Sequence, residues 1–219
     1  MLDLDPRIVL LLAVPTLLLV AARWRALRTV ARYGRIPNRL GLTGRQVARA
    51  ILDANGLDDV SVDVAPGHLT DHYDARRRTL CLSAPVFAGC SVAALGIAAH
   101  ETGHALQDRT GYLPRRAHVR LIPAITVGST SGWLMFLAGV IARLGALGWL
   151  GVALVAAAAL LAPVTLSVEL DASRRALAML TTMGFVDEAE ARQSRAVLNA
   201  AVLTYLAGSL AVLPPLPGV

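Results

Sequence analysis

The sequence contains no lysine, and charged residues of either sign are scarce. All 21 basic residues are arginine, and Asp, Glu, Lys and Arg together make up 16% of the 219 residues, whereas a typical soluble domain carries about 25%. Hydrophobic residues supply 55% of the chain, and the mean hydropathy is +0.57. Disorder is excluded, because it requires low hydrophobicity and high net charge. The composition predicts an integral membrane protein rather than an ordinary soluble enzyme.

Cysteine is nearly absent as well. The two that occur, Cys81 and Cys90, are too few for a disulfide framework, and no CxxC pair is present. We interpret both as small buried apolar residues, which stay reduced if the domain that holds them is cytosolic.

Acidic residues are missing from one stretch that is rich in arginine. Eight arginines lie between Arg23 and Arg49, and the next acidic residue is Asp53. Such a block could bind nucleic acid, but no recognised DNA- or RNA-binding motif accompanies it. Because the block directly follows an apolar segment, we interpret it as a topology signal that keeps residues from about 23 onward in the cytoplasm. We expect no nucleic-acid partner.

That apolar segment, Ile8–Ala22, is the first predicted membrane span. Asp3 and Asp5 precede it, whereas a secretory signal carries positive charge at this place. We therefore expect an anchor whose N-terminus lies outside the cell, rather than a cleaved signal peptide.

Three further apolar segments predict a multi-pass protein. Leu121–Ile141 and Leu144–Val168 are uncharged, and Arg143 is the only charge between them. We expect these two segments to form a tight membrane hairpin. Ala196–Leu213 is a candidate fourth span.

The chain between the first two spans has the pattern of a small α+β portion. A helix is expected over Gly44–Ala54 and a half-buried strand over Val60–Val64. Two more short strands are expected over His68–Asp71 and Thr79–Leu82, followed by a long helix over Ser91–Gln107.

The long helix contains His100-Glu101-Thr102-Gly103-His104, an H-E-x-x-H motif. Positions i and i+4 of a helix lie on one face, so both imidazoles can bind one metal ion. Glu101 then lies beside the open position of the metal, where it can accept a proton from a bound water. Gly103 lets another element pack closely. The motif predicts a zinc-dependent hydrolase, against the alternative of a buried helix with two hydrogen-bonded histidines.

A catalytic zinc site usually has a third protein ligand. Glu169 is a candidate because it follows the last residue of the third predicted span. A charged carboxylate is costly at a membrane boundary, so its presence there indicates a functional role. The alternative is a helix-end charge at the membrane interface. Glu188 and Glu190 fall in a polar stretch that is typical of a solvent-exposed face, and His118 is a reserve ligand.

Five stretches of the chain resemble the YugP-type family of membrane-bound neutral zinc metallopeptidases. They are Leu69–Asp74, Leu82-Ser83, Ser91–Ala94, Ala99–Gln107 and Glu169–Arg175. The resemblance covers most of the chain from about Tyr33 onward. It implies that His100, His104 and Glu169 bind one zinc ion per chain and that Glu101 is the catalytic glutamate.

More distantly, the chain is similar to the HtpX-type gluzincin proteases, but it departs from their pattern at one position. Those proteases carry an Asp four residues after the Glu ligand, and here that position is Ser173. The role of that Asp does not carry over, and Asp171 is the candidate substitute.

Polar residues near the motif have less specific interpretations. His72 or Tyr73, after the expected strand His68–Asp71, could contact the transition-state oxyanion or could only shape a turn between strands. Gln107 and Asp108 are candidates for orienting an imidazole by a hydrogen bond.

The predicted fold is mainly α: a polytopic α-helical membrane protein with a small α+β, zincin-like cytosolic portion that carries the motif helix. The expected organisation is an N-terminal transmembrane anchor (1–22), a cytosolic metallopeptidase portion (23–120), a transmembrane hairpin (121–168), a cytosolic helix with the third metal ligand (169–195), and a fourth transmembrane segment with tail (196–219).

The leading functional hypothesis is an integral-membrane zinc endopeptidase of the cell membrane whose active site faces the cytoplasm. It would hydrolyse unfolded or membrane-proximal polypeptide by a metal-activated water, with Glu101 as general base. The alternatives are a site-2-type intramembrane protease and a non-catalytic membrane scaffold with a structural zinc site. The oligomeric state stays open.

Overall fold

The computed structural model describes residues 6–210. In this range eight α-helices and three β-strands follow one another along the chain. The helices are α1 (Pro6–Tyr33), α2 (Gly44–Ala54), α3 (Ala84–Phe87), α4 (Val92–Arg109), α5 (Leu113–Ile141), α6 (Gly145–Ala159), α7 (Ala162–Thr182) and α8 (Glu188–Leu210). The strands are β1 (Ser61–Ala65), β2 (His72–Asp74) and β3 (Thr79–Ser83). The described chain is therefore mainly helical with one small sheet.

Helix α2 begins and ends where the sequence predicts. The Thr43 side chain accepts a hydrogen bond from the Gln46 N–H at 3.2 Å, and the Gln46 side-chain oxygen accepts one from the Thr43 N–H at 2.8 Å. This capping box pairs backbone donors that the start of a helix leaves open. The buried face that packs α2 against α4 consists of Gly44, Val47, Ala48, Ile51 and Leu52.

The sheet has the order β1–β3–β2, with β1 parallel and β2 antiparallel to β3. The expected strands over Val60–Val64 and Thr79–Leu82 are confirmed within one residue. The expected strand over His68–Asp71 is wrong, because the strand in this region begins at His72. Leu69 has a φ of 57°, and a positive φ does not continue an extended strand.

Both cysteines are free thiols, as expected, but they are half-buried rather than buried. Along β3, Leu80 and Leu82 are fully buried in the core. Because side chains alternate between the two faces of a strand, Cys81 points away from that core. Cys90 lies in the loop before α4.

Helix α4 is enclosed by other elements on nearly every side. Fifteen of its 18 residues are buried, and it packs against α2, α7 and α8. The Ser91 side chain caps its start by accepting a hydrogen bond from the Ala94 N–H at 3.1 Å. The long helix predicted over Ser91–Gln107 is thus confirmed within two residues. Its polar side chains must find partners in the interior, because buried polar groups without partners are costly.

Gly103 lets α4 and α7 approach each other closely. A Cβ atom at Gly103 would lie 2.6 Å from the carbonyl oxygen of Ala172, which is closer than real Cβ atoms come to any heavy atom. The expectation that another element packs against Gly103 is confirmed, and that element is α7. This contact brings the first residues after the third predicted span to the motif helix.

Two stretches of the described chain are long and apolar enough to cross a membrane. They are Leu113–Ile141, with a mean hydropathy of 1.6 over its most apolar window, and Gly145–Thr182, with 2.2. Only 17% and 18% of these windows are buried inside the protein, so their apolar side chains face outward. At the crossing of α5 and α6, a Cβ on Gly132 would lie 2.8 Å from the Gly151 carbonyl oxygen, so the two backbones touch.

The third predicted span, Leu144–Val168, is not one continuous helix. Helix α6 ends at Ala159 and α7 begins at Ala162, with a two-residue turn between them. Pro163, in the first turn of α7, has no N–H to donate to the preceding turn, and its ring clashes with the carbonyl four residues before it. The helix therefore breaks where the proline enters.

Helices α1 and α8 pack along each other. The first predicted span, Ile8–Ala22, falls in α1, and the side chains of residues 6–13 lie outside the described part of the chain. The fourth, Ala196–Leu213, falls in α8 as far as Leu210. Residues 1–5 and 211–219 are not described. Both spans, and the predicted domain boundaries, stay predictions.

Candidate metal and catalytic site

The two histidines of the motif lie one helical turn apart on α4, and each is 5% exposed. Their ring centroids are 4.9 Å apart and their planes are inclined by 79°. His100 Nε2 lies 3.1 Å and His104 Nε2 lies 3.7 Å from the same atom, Glu169 Oε2. Two imidazole nitrogens and one carboxylate oxygen therefore converge in the interior.

Glu169 reaches this position because α7 packs against α4. It is 3% exposed, and 69 residues separate it from His100 along the chain. The close approach of the two backbones at Gly103 brings its carboxylate within reach of the motif. The two histidines are its side-chain partners in the described chain, as a buried carboxylate requires.

Gln107 sets the orientation of His104. Its side-chain nitrogen donates hydrogen bonds to the Val168 carbonyl oxygen at 2.8 Å and to Asp171 Oδ2 at 3.0 Å. Its oxygen therefore faces His104 and accepts a hydrogen bond from Nδ1 at 3.0 Å. The proton then sits on Nδ1, and the Nε2 lone pair points towards Glu169.

Ser173 makes the corresponding contact with His100. Ser173 Oγ and His100 Nδ1 form a hydrogen bond of 3.2 Å, which leaves Nε2 for a second partner. The position that departs from the HtpX-type pattern thus still contacts an imidazole, through a hydroxyl. Asp171, the candidate substitute, contacts Gln107 instead and accepts a hydrogen bond from Arg175 Nε at 2.6 Å.

Glu101 lies beside the converging atoms. A carboxylate oxygen of Glu101 and one ring nitrogen each of His100 and His104 all lie within 4.8 Å of one another. Glu101 is 7% exposed. Burial raises the pKa of its carboxyl to about 8, and the negative charges of Glu169 and Asp71 act in the same direction.

This set of donors fits a zinc ion. Zinc is bound at about 2.0–2.2 Å by imidazole nitrogen and carboxylate oxygen in a tetrahedral geometry, which places ligand atoms about 3.3–3.5 Å apart. The distances from Glu169 Oε2 to the two imidazoles, 3.1 and 3.7 Å, bracket that separation. Burial lowers the pKa of His104 to about 3, so this imidazole is neutral, the form that binds a metal.

Comparison with known proteins decides the family. Over residues 8–216 the chain matches the model of a family described as "Putative neutral zinc metallopeptidase". The chain belongs to this family of neutral zinc metallopeptidases. A similar protein from Bacillus subtilis (strain 168), named "Putative membrane protease YugP", is 39% identical over 191 residues, which are 86% of this chain and 84% of that protein. No solved structure matches. The resemblance found in the sequence is confirmed.

Two further sequence-predicted residues of this family member lie on β2. His72 is exposed, and its Nδ1 lies 2.8 Å from the Thr70 carbonyl oxygen. Tyr73 is 8% exposed and belongs to the hydrophobic core. In the described chain, no hydrogen bond or ion pair joins either side chain to the converging His and Glu atoms. An oxyanion-binding role for either one stays a prediction.

Sequence reasoning missed Arg115, at the start of α5. This residue is 9% exposed, and its Nε lies 3.5 Å from Asp108 Oδ1. Asp108 therefore pairs with an arginine and not, as expected, with an imidazole. His118, the reserve ligand, is half-buried and forms no hydrogen bond or ion pair with the motif histidines or with Glu169 among the described residues. No sequence signal separates Arg115 from the exposed Arg116 and Arg120, because burial depends on which elements cover a side chain.

Proposed function

We propose that this member of the metallopeptidase family is an integral-membrane zinc endopeptidase that hydrolyses unfolded or membrane-proximal polypeptide. The observation that carries the proposal is the convergence of His100, His104 and Glu169 on one buried point, with Glu101 beside it. Burying these four polar groups together is costly unless a shared partner offsets it. A zinc ion is a partner of that kind.

We assign His100 Nε2, His104 Nε2 and the Glu169 carboxylate as the ligands of one zinc ion per chain. Glu101 is also close enough to bind a metal, but Glu169 Oε2 approaches both imidazole nitrogens and completes the set. Three protein ligands leave a fourth position for water, as in catalytic zinc sites, whereas structural sites are closed by four. This favours an enzyme over a scaffold with a structural zinc.

Hydrolysis then depends on groups of the chain itself. Zinc, when bound, supplies a Lewis acid that polarises the peptide carbonyl and lowers the pKa of a water. Glu101, ionised once the positive charge of a bound zinc lowers its pKa, would accept a proton from the attacking water and pass it to the departing amine nitrogen. Gln107 and Ser173 hold the two imidazoles in orientation.

We place the site beside the membrane rather than inside it. Helix α4 packs against α2, whose Arg45 and Asp53 are exposed, and against the small sheet. Nearly all of α4 is buried in protein, so it lacks the lipid-facing surface of a membrane span. This argues against a site-2-type intramembrane protease.

The contact between His100 and Glu169 supports the predicted topology. Two residues that bind one ion lie on the same side of the membrane, so the chain between them crosses an even number of times. The hairpin of Leu121–Ile141 and Leu144–Val168 provides two crossings. With the basic block Arg23–Arg49 in the cytoplasm, the active site faces the cytoplasm and the N-terminus lies outside.

The test combines metal analysis with casein cleavage by the purified full chain and its Glu101→Gln variant. The variant keeps the shape of the side chain but cannot accept a proton. It should retain about one zinc per chain and lose roughly 10²–10⁴-fold in hydrolysis rate. Glu188→Gln, the same change at a side chain that is 97% exposed, is the matched control and should alter neither. A wild-type chain without zinc, or undiminished cleavage by Glu101→Gln, would refute the proposal.

A further inference from the structure

Three arginines lie close together at the start of α5, and one of them is buried. Arg116 and Arg120 are exposed, as expected for positive charges that border a membrane span. The side chain of Arg115 is only 11% exposed. A topology signal works equally well at the surface, so it does not explain the burial of Arg115.

The buried guanidinium has few partners. It carries five N–H donors, and in the described chain its ionic partner is Asp108, at 3.5 Å from Nε. A charge-assisted hydrogen bond is shorter, roughly 2.7–2.9 Å, and the buried Nε has no hydrogen-bond acceptor among the described residues. A buried charged donor without a close acceptor, as Nε is here, is unfavourable. The position suits an arginine that receives an oxygen atom from outside the chain.

Arg115 contacts the motif helix through Asp108, which lies one turn after His104 on the same face of α4. Its charge also acts on Glu101 and on both histidines of the motif. His118, one turn further along the same face of α5, interacts electrostatically with Glu169 and Arg115. The buried Nδ1 of His118 likewise has no hydrogen-bond partner in the described part of the chain. Two polar side chains of one face of α5 therefore each have a buried nitrogen without a hydrogen-bond partner in the described chain, and one of them contacts the motif helix through Asp108.

We infer that Arg115, with His118 beside it, binds the carbonyl oxygen of the scissile peptide bond as negative charge develops on that oxygen. The inference rests on the proposed peptidase activity and names the group that receives its substrate. Arg115 donates N–H hydrogen bonds and stays protonated, because a guanidinium does not lose its proton in proteins. Proton transfer remains with Glu101. A cation that is already in place stabilises an oxyanion strongly, because nothing reorganises when the charge appears.

A structural ion pair between Arg115 and Asp108 is the competing account. The two accounts differ in what Arg115→Met does. A structural role predicts a lower melting temperature, because the α4–α5 connection loses its ion pair. A substrate-binding role predicts no loss of stability, since an incompletely paired buried cation is replaced by an apolar side chain.

The experiment compares Arg115→Met and Arg115→Lys with Arg116→Met in the zinc-loaded full-length protein. Arg116→Met is the matched control, because it removes the same charge from an exposed neighbour. Zinc content, melting temperature and the Kd of two inhibitors are measured. A phosphinic peptide carries anionic oxygens that mimic the tetrahedral transition state, whereas a mercaptoacyl peptide binds zinc through sulfur and has no such oxygen.

We expect Arg115→Met to retain its zinc and its melting temperature. Its affinity for the phosphinic peptide should fall roughly 10²–10³-fold, the usual effect of removing one oxyanion donor. Affinity for the mercaptoacyl peptide should stay unchanged, Arg115→Lys should recover part of the loss, and Arg116→Met should match wild type. Zinc loss or a lower melting temperature in both Arg115 variants would overturn the inference. An equal loss of affinity for the phosphinic and the mercaptoacyl peptide would overturn it as well.

Cleavage of casein-derived peptides distinguishes the carbonyl oxygen from a terminal carboxylate, which a guanidinium also binds. We expect kcat to fall by the same factor for free-acid and C-terminally amidated peptides, with KM little changed. A loss confined to free-acid peptides, through KM, would overturn the inference and leave the proposed function intact. A zinc-loaded wild type that cleaves no peptide would refute the proposed function, and this inference with it.

Discussion

Each motif histidine uses its two ring nitrogens for different contacts. His104 Nδ1 donates to Gln107, and His100 Nδ1 hydrogen-bonds with Ser173. Both Nε2 atoms face Glu169. Ring orientation is therefore fixed by neighbours that do not depend on a metal, which is how outer contacts tune metal ligands in general.

Replacing Glu169 and Asp171 tests the third ligand. Glu169→Ala removes the carboxylate that both imidazoles approach, so we expect it to lose bound zinc. Asp171→Ala removes a side chain that is 24% exposed and bonded to Gln107 and Arg175. It should keep its zinc and lose about 1 kcal/mol of unfolding free energy. Elemental analysis and thermal unfolding measure the two effects. Zinc lost from Asp171→Ala but kept by Glu169→Ala would reverse the assignment.

Replacing Gln107 tests the hydrogen bond that orients the proposed ligand His104. Gln107 is fully buried, and Gln107→Leu leaves His104 Nδ1 without its acceptor. We expect zinc affinity to fall roughly 10–100-fold, as for other partners of metal-bound histidines. Thr102→Val is the control, because the fully buried Thr102 hydroxyl donates to the Ala98 carbonyl oxygen of its own helix and has no other partner among the described residues. Competition with a zinc chelator gives the affinities, and equal values for the two variants would contradict the role of Gln107.

At the scale of elements, the site is built by two helices that each present an i, i+4 pair. Helix α4 presents His100 and His104, and α7 presents Glu169 and Ser173. The pairs meet because a glycine, Gly103, allows the helix backbones to approach. The distance between the two helices therefore controls the distance between the ligands.

The variant Gly103→Ala should push α7 away from α4. Its Cβ would lie 2.6 Å from a backbone oxygen that cannot move alone, and overpacking of this kind typically costs about 1–3 kcal/mol. We expect a lower melting temperature and weaker zinc binding. Gly96→Ala on the same helix is the control, since its Cβ would meet nothing closer than 3.8 Å. That variant should gain up to about 1 kcal/mol from helix propensity. Equal behaviour of both variants would show that the spacing is not critical.

At the scale of the whole molecule, the hairpin and the site depend on each other. A reporter of membrane sidedness fused after Gln107 or after Arg175 should read as cytoplasmic. One fused after Arg143, in the turn between α5 and α6, should read as external. Opposite readings after Gln107 and Arg175 would disprove the hairpin and would place His100 and Glu169 on different sides of the membrane.

The elements that the sequence predicts best are those with short-range causes. Helix α2 follows from its cap residues and one-sided apolar periodicity, and α4 follows from the Ser91 cap and a long apolar run, causes that act within a few residues. The strand expected over His68–Asp71 failed because a positive φ at Leu69 breaks the extended backbone there. The break between α6 and α7 inside the third predicted span was not predicted, although Pro163 is its local cause.

The sequence by itself determined the motif half of the site, because i, i+4 spacing on a helix places His100 and His104 on one face whatever surrounds them. Glu169 was a candidate from its place at a span boundary, but only the packing of α7 on α4 put its carboxylate 3.1 Å from an imidazole 69 residues away. The tertiary structure alone singled out Arg115 from its exposed neighbours. The burial of a side chain depends on which elements pack over it, and the residues next to it in the sequence do not determine that packing.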